Sequence, residues 1–176
     1  MSIYILFVIT NQEQKVIDAI TKQFHNKEHF CPFIPRRVTF FKRSGQVPRK
    51  EKLIMFPGYV FIKSELCDIN FFQQISPFVR TNKDVIRVLR YGDSNEYAVR
   101  EDECNKLIDL LNDDYCIETS AAFLEGDRVK IIEGPLKGKE SIIKKVKRSR
   151  MEAVIHLEIM GEERPITLGI DILQKI

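Results

Sequence analysis

The apolar run at residues 3–9 has the length and β-branched content of a buried strand. Thr10 followed three residues later by Glu13 has the spacing of a capping box, and Val16, Ile17, Ile20 and Phe24 then recur on one helical face. The helix is predicted to end near Phe24. Residues 30–41 are rich in aromatic and β-branched positions but carry Pro32 and Pro35, which suits an edge or bent strand. Residues 42–52, with Ser44-Gly45 and Pro48, read as a loop. Strand follows at 53–63, a short helix at 68–76 and strand again at 85–91. Glu101, Asp102 and Glu103 favour a helix N-terminus, and Cys104, Leu107, Ile108 and Leu111 supply its apolar stripe. The order β-α-β-β-α-β-α predicts a mixed sheet covered by helices over residues 1–111.

Beyond Leu111 the pattern changes. Asn112-Asp113-Asp114 and Ser120-Ala121-Ala122 frame a stretch without helical periodicity, so 112–122 reads as a linker. Short β-rich runs then occur at 128–132, 142–146, 153–159, 164–167 and 170–173. Five strands in so short a segment predict a small barrel over 123–176, because an open sheet would leave both edges unpaired. The expected fold class is α+β: an amino-terminal mixed α/β sandwich and a five-stranded SH3-like barrel.

Composition narrows the classes. Of 176 residues, 44% are apolar and 30% charged, enough to build a core and too ordered a mixture for a disordered or collagen-like chain. The longest apolar run falls well short of the roughly 20 residues of a membrane span, so no membrane association and a cytoplasmic location are expected. Cys31, Cys67, Cys104 and Cys116 lack C-x-x-C spacing and read as reduced thiols; His25 and His29 sit in no metal-binding frame. No phosphate-cradling loop, dinucleotide fingerprint or nucleophile elbow occurs. The expectation is therefore a binding protein rather than an enzyme, without cofactor or metal.

The net charge of +3 says little, but its distribution says more. Arg36, Arg37, Lys42, Arg43, Arg49, Lys50 and Lys52 face only Glu51 within one segment. Lys137, Lys139, Lys144, Lys145, Lys147, Arg148 and Arg150 face only Glu140 in a second. Between them, residues 101–118 are strongly acidic. Two further stretches stand out. Phe56-Pro57-Gly58-Tyr59-Val60-Phe61-Ile62 opens a strand with a fixed entry angle, placing Tyr59 and Phe61 on one face and Val60 and Ile62 on the other. Gly126-Asp127-Arg128-Val129-Lys130-Ile131-Ile132-Glu133-Gly134-Pro135-Leu136-Lys137-Gly138 places a strand between glycines and closes it with a Gly-Pro turn.

Together these segments resemble the NusG family of transcription elongation factors, with an amino-terminal NGN domain, a linker and a KOW domain. Ile3-Tyr4-Ile5-Leu6 is similar to the family's opening strand, 56–60 to its internal motif, 126–138 to its KOW motif, and Gly161-Glu162-Glu163-Arg164-Pro165-Ile166-Thr167-Leu168 to its tail. The resemblance implies docking of Phe56, Tyr59 and Phe61 on the clamp helices of RNA polymerase. It also implies approach of Arg80, Thr81 and Asn82 to non-template DNA. Ile3, Asn11-Gln12, Leu136 and Ser141 depart from the usual family residues and make the chain look like a specialised paralogue, and the basic KOW loops together with Phe33-Ile34-Pro35-Arg36 and residues 56–62 resemble the LoaP branch of processive antiterminators. That branch implies a KOW domain that binds a leader RNA hairpin; the charge cluster makes Lys137, Lys139, Lys144, Lys145, Lys147, Arg148 and Arg150 the candidate contacts, and a monomer is expected. The alternatives are a general elongation factor that couples polymerase to Rho or the ribosome, and a ribosome-associated KOW protein.

Overall fold

The computed structural model describes residues 1–26, 28–41, 45–125 and 128–173. They divide into two compact units, neither continuous in sequence. The first comprises Met1–Ile34, Phe56–Asn105 and Ile159–Gly161; the second comprises Pro35–Met55, Lys106–Glu158 and the chain from Glu162 onward.

The first unit is built on a four-stranded antiparallel sheet of β1 (Ser2–Val8), β2 (Cys31–Phe33), β5 (Tyr59–Ser64) and β6 (Val85–Val88), in the order β2-β5-β1-β6. Strand alternation sorts its side chains. Tyr4, Leu6, Val8, Val60 and Ile62 share a core with Val16 and Ile20 of α1 (Glu13–Gln23) and with Phe71, Ile75 and Phe78 of α2 (Asp68–Thr81). Tyr4 stacks on Phe71 with ring centroids 3.7 Å apart, and its hydroxyl donates to the Leu66 carbonyl at 2.7 Å and to Asp68 at 3.1 Å. A third helix, α3, spans Glu101–Ile108.

Several local signals are realised differently. The capping box does not form. Asn11 takes a positive φ of 71°, Gln12 becomes the N-cap, and Glu13 is buried with its carboxylate accepting the Gly58 N–H at 2.7 Å. Residues 30–41 divide into β2 and β3 (Arg36–Phe41), which lie in different sheets. Pro35 separates them, and it has no N–H to continue a ladder. Residues 53–63 divide likewise into β4 (Arg49–Ile54) and β5 around Phe56-Pro57-Gly58, where Gly58 sits at φ +82°. A Cβ there would lie 3.2 Å from the Val8 carbonyl, so the glycine lets this turn sit against β1. The segment expected as a loop becomes strand from Arg49 because Phe41 pairs with Arg49 and Phe40 with Lys50; Lys42, Arg43 and Ser44 lie outside the described residues. The second helix runs through Pro77 to Thr81. Phe78 completes the buried stripe begun by Phe71 and Ile75, and hydroxyls of Ser76 and Thr81 donate to carbonyls one turn back.

The second unit contains two sheets. In one, β3 pairs antiparallel with β4 and parallel with β7 (Cys116–Ile117). The other is a curled five-stranded sheet of β8 (Ser120–Glu125), β9 (Arg128–Glu133), β10 (Ile143–Lys147), β11 (Glu152–Ile159) and β12 (Glu162–Leu173), ordered β10-β11-β12-β8-β9. Residues 112–122, expected as a linker, thus contribute β7 and the start of β8. The runs at 164–167 and 170–173 form one strand. Gly169 keeps β12 continuous where a Cβ would come within 2.8 Å of Thr119 and 3.0 Å of the Val38 carbonyl. Five strands and the α+β class agree with expectation, although the strands are not the same five. Gly126 and Asp127 of the expected strand-opening turn lie outside the described residues.

Candidate functional site

Two surfaces carry candidate chemistry, one in each unit. On the first, the sheet face opposite α1 and α2 is aromatic. Register pairs Phe7 with Tyr59, Ile5 with Phe61 and Phe33 with Phe61, so these side chains share that face. Phe33 lies 5.5 Å from Phe61, Phe61 lies 5.6 Å from Phe56, Phe56 lies 6.3 Å from Tyr59, and Tyr59 meets Phe7 edge-on at 5.8 Å. The expected alternation of Tyr59 and Phe61 against Val60 and Ile62 is present. Accessibility divides the set: Phe61 is 0% and Phe56 4% exposed, whereas Tyr59 and Phe7 are half-buried. Phe56 and Phe61 form the support, and Tyr59 and Phe7 form the accessible rim. Lys63 adds a cation, its Nζ 5.5 Å from the Phe33 ring.

Arg80, Thr81 and Asn82 lie at the end of α2. The Thr81 hydroxyl donates to the Pro77 carbonyl at 2.9 Å, and Asn82 is the C-cap, its side-chain oxygen accepting the Asp84 N–H at 3.0 Å. The polar side chains of Thr81 and Asn82 are committed to ending the helix. Arg80 is exposed.

On the second unit the basic residues follow the turn after β9, the strand β10 and the turn at 148–150. Lys137, Lys144, Lys145, Arg148 and Arg150 are exposed, and Lys139 and Lys147 are half-buried. Lys139 donates to the Asp109 carbonyl at 3.2 Å, and Lys147 pairs with Glu152 at 3.4 Å. A register shift between Ile143 and Lys145 interrupts the β10–β11 ladder, and both Lys144 and Lys145 are exposed. Beside them, Val129, Glu140, Ile143, Lys144, Lys145, Val146 and Arg148 enclose a cleft of about 430 Å³. In the hairpin of β3 and β4, by contrast, part of the charge is structural. The half-buried Arg37 guanidinium donates to the Thr167 carbonyl, with burial pulling its pKa down, and Lys50 donates to the Thr119 hydroxyl at 2.8 Å.

The model of the family described as transcription termination factor nusG matches residues 1–108, and the KOW motif matches residues 125–158. The chain belongs to the NusG family. A NusG-family relative, the transcription termination/antitermination protein NusG of Thermus thermophilus, is 23% identical over 172 residues, covering 94% of this chain and 93% of that protein. A solved structure concerned with domain interaction in Thermotoga maritima NusG is 23% identical, covers 96% of this chain and 93% of that one, and superposes with a TM-score of 0.49. The KOW match spans β9, β10 and nearly all of β11, and so includes the cleft and both of its strands.

One polar centre of this NusG-family chain had no sequence signal beyond an acidic helix start. Glu103 of α3 is 2% exposed; its carboxylate accepts the Tyr91 hydroxyl at 2.8 Å, the Met160 N–H at 2.7 Å and the Gly161 N–H at 3.0 Å. The Tyr91 oxygen in turn accepts the Arg100 N–H at 2.9 Å, and the Arg100 guanidinium lies 4.1 Å from the Tyr91 ring. The pKa of Cys104 beside it is pushed up to about 11, chiefly by burial and then by the neighbouring carboxylates of 101–103, which keeps its thiol protonated near neutral pH. Among the described residues no group of three or more His, Cys, Asp or Glu is placed to hold a metal ion.

Proposed function

We propose that this NusG-family chain is a processive antiterminator: it docks on RNA polymerase through the accessible Tyr59 and Phe7 rim of the aromatic sheet face and grips a leader RNA hairpin through the basic face beside β10. The observation that carries the reading is the exposure of Lys137, Lys144, Lys145, Arg148 and Arg150 on one segment of the KOW unit. Binding the elongating complex more tightly than the terminating one shifts the population by the difference in affinity, so no catalysis is required. The clamp helices are the proposed docking partner, with the non-template strand near exposed Arg80. A monomer suffices.

Tyr59 is the residue to test on the polymerase side, because Phe56 and Phe61 are buried supports whose truncation would damage the fold. Aromatic hot spots typically cost about 2 kcal/mol on truncation, or close to thirtyfold in affinity. Tyr59→Ala in the full chain is expected to weaken binding to purified polymerase by that order while hairpin affinity stays constant. Equal polymerase affinity of the folded variant and wild type would remove Tyr59 from the interface.

On the RNA side, neutralising about three to five phosphates predicts an affinity loss of roughly 20- to 130-fold between 50 and 200 mM salt. Phosphate contacts carry no sequence preference. Lys144→Ala is therefore expected to weaken cognate and scrambled hairpins alike. Arg148→Ala and Arg150→Ala reduce discrimination between them, since guanidinium stacks and bonds in a bidentate way. Gel-shift titration of the full chain measures both. Absence of any hairpin that binds better than its scrambled control would favour a general elongation factor instead.

A further inference from the structure

We infer that the cleft between β9 and β10 accepts one unstacked guanine of the bound RNA, with the Glu140 carboxylate receiving the base's N1–H and N2–H. This deepens the RNA-binding reading and rests on it. β9 and β10 are the two end strands of the curled sheet, and among the described residues no ladder joins them across the cleft. The cleft's 430 Å³ lies within the range of roughly 300–1,000 Å³ typical of sites for small ligand groups. Its walls are mixed: Val129, Ile143 and Val146 are half-buried apolar surfaces, suited to the faces of a base, and Lys144, Lys145 and Arg148 are exposed cations.

Glu140 decides which base. It opens the 3-10 turn Glu140–Ile142 and is the single acid among the residues lining the cleft. A carboxylate repels phosphate and accepts hydrogen bonds without donating any, so on the backbone of an RNA its one partner is a lone 2′-hydroxyl, which fills a single acceptor site. What it fits is a pair of neighbouring N–H donors. Guanine alone of the four bases presents two adjacent donors on its Watson–Crick edge. Adenine and cytosine place a ring acceptor beside their amino group, and uracil flanks its one N–H with carbonyls. Unpaired bases in RNA loops are commonly read on this edge while stacked on apolar or guanidinium planes. Lys144 and Lys145 then neutralise the flanking phosphates, and Arg148 lies across the base.

The test uses the full chain and stem-loop RNAs identical except for one position in an all-uridine loop, filled with guanosine, inosine, adenosine, cytidine or uridine. Fluorescence anisotropy at fixed salt gives the affinities. Guanosine is expected to bind roughly tenfold more tightly than inosine, which lacks the N2 amino group, the usual scale for one hydrogen bond to a charged group. Glu140→Gln is expected to reduce that preference to less than about twofold and to leave the all-uridine loop bound at least as well as by wild type, since a negative charge has been removed. Equal binding of all five loops, with salt-dependent affinity intact, would overturn the guanine site while sparing RNA binding. A guanosine preference that survives Glu140→Gln would also overturn it. No binding to any stem-loop would instead refute the RNA reading itself. Amide shifts of β10 on adding an extended acidic peptide, with none on adding the guanosine loop, would assign the cleft to strand addition by a protein.

Discussion

Glu103→Ala is expected to lower the unfolding free energy by about 2–4 kcal/mol, because removing one partner of a buried hydrogen-bonded set strands the others at about 1–3 kcal/mol each. The carboxylate is the acceptor for three donors, of which the Tyr91 hydroxyl is the most enclosed, Tyr91 being 8% exposed; the N–H of exposed Gly161 recovers a bond to water. Urea denaturation measures the loss, and a double-mutant cycle with Tyr91→Phe measures how much of it belongs to that pair. A pH series adds an independent readout. Burial first, and the bond to Glu103 in addition, raise the Tyr91 pKa above the ordinary tyrosine value. The unfolded chain therefore loses this proton first, and stability falls as pH rises beyond about 10 toward the raised native value. Glu103→Ala makes that alkaline decline shallower. An unchanged decline and a loss below about 0.5 kcal/mol, the range of ordinary surface substitutions, would deny the cluster its structural role.

Gly134→Ala is the second large expected effect, of about 3 kcal/mol or more, because it combines backbone strain with collision against neighbouring backbone. Gly134 lies at φ +99°, and a Cβ there would stand 2.7 Å from the Ser120 Cα, 2.8 Å from its Oγ and 2.8 Å from the Thr119 carbonyl. Two of the three are backbone atoms and cannot rotate away. The Ser120 hydroxyl also accepts the Leu136 N–H at 3.1 Å, so displacing it disturbs the turn that orders the Gly-Pro segment. Gly138→Ala is the control: φ is +75° there, yet nothing lies within 4 Å of the added carbon. Thermal denaturation should place Gly134→Ala well below Gly138→Ala. Equal midpoints would mean that the turn relaxes and that strain alone governs both glycines.

The legible parts of the fold were those where one short segment carries its own instructions. The opening strand, the helix ending at Phe24 and the alternation after Gly58 are local patterns, and each appears as read. The illegible parts depend on distant pairing. Arg49, Lys50 and Lys52 look like loop residues until Phe41, Phe40 and Val38 present a strand for them to pair with. Pro77 looks like a helix stop until Phe78 is needed in the core. Ser120 and Ala121 look like linker until β12 runs parallel beside them. The same limit applies to the sites. Aromatic spacing identified Tyr59 correctly as one face of a strand, but only the packing separates it from its buried supports. Charge density located the basic face, while the commitment of Lys139 and Lys147 to neighbours, and the position of Glu140 in the cleft, depend on contacts that no local pattern encodes.

The most direct test of the antitermination reading is single-round transcription by purified polymerase through two successive intrinsic terminators, on templates with and without an upstream leader hairpin. The full chain is predicted to raise read-through at both terminators when the hairpin is transcribed, with Tyr59→Ala and Arg148→Ala each reducing the gain. Read-through that ignores the hairpin, or termination that increases when the protein is added, would contradict it.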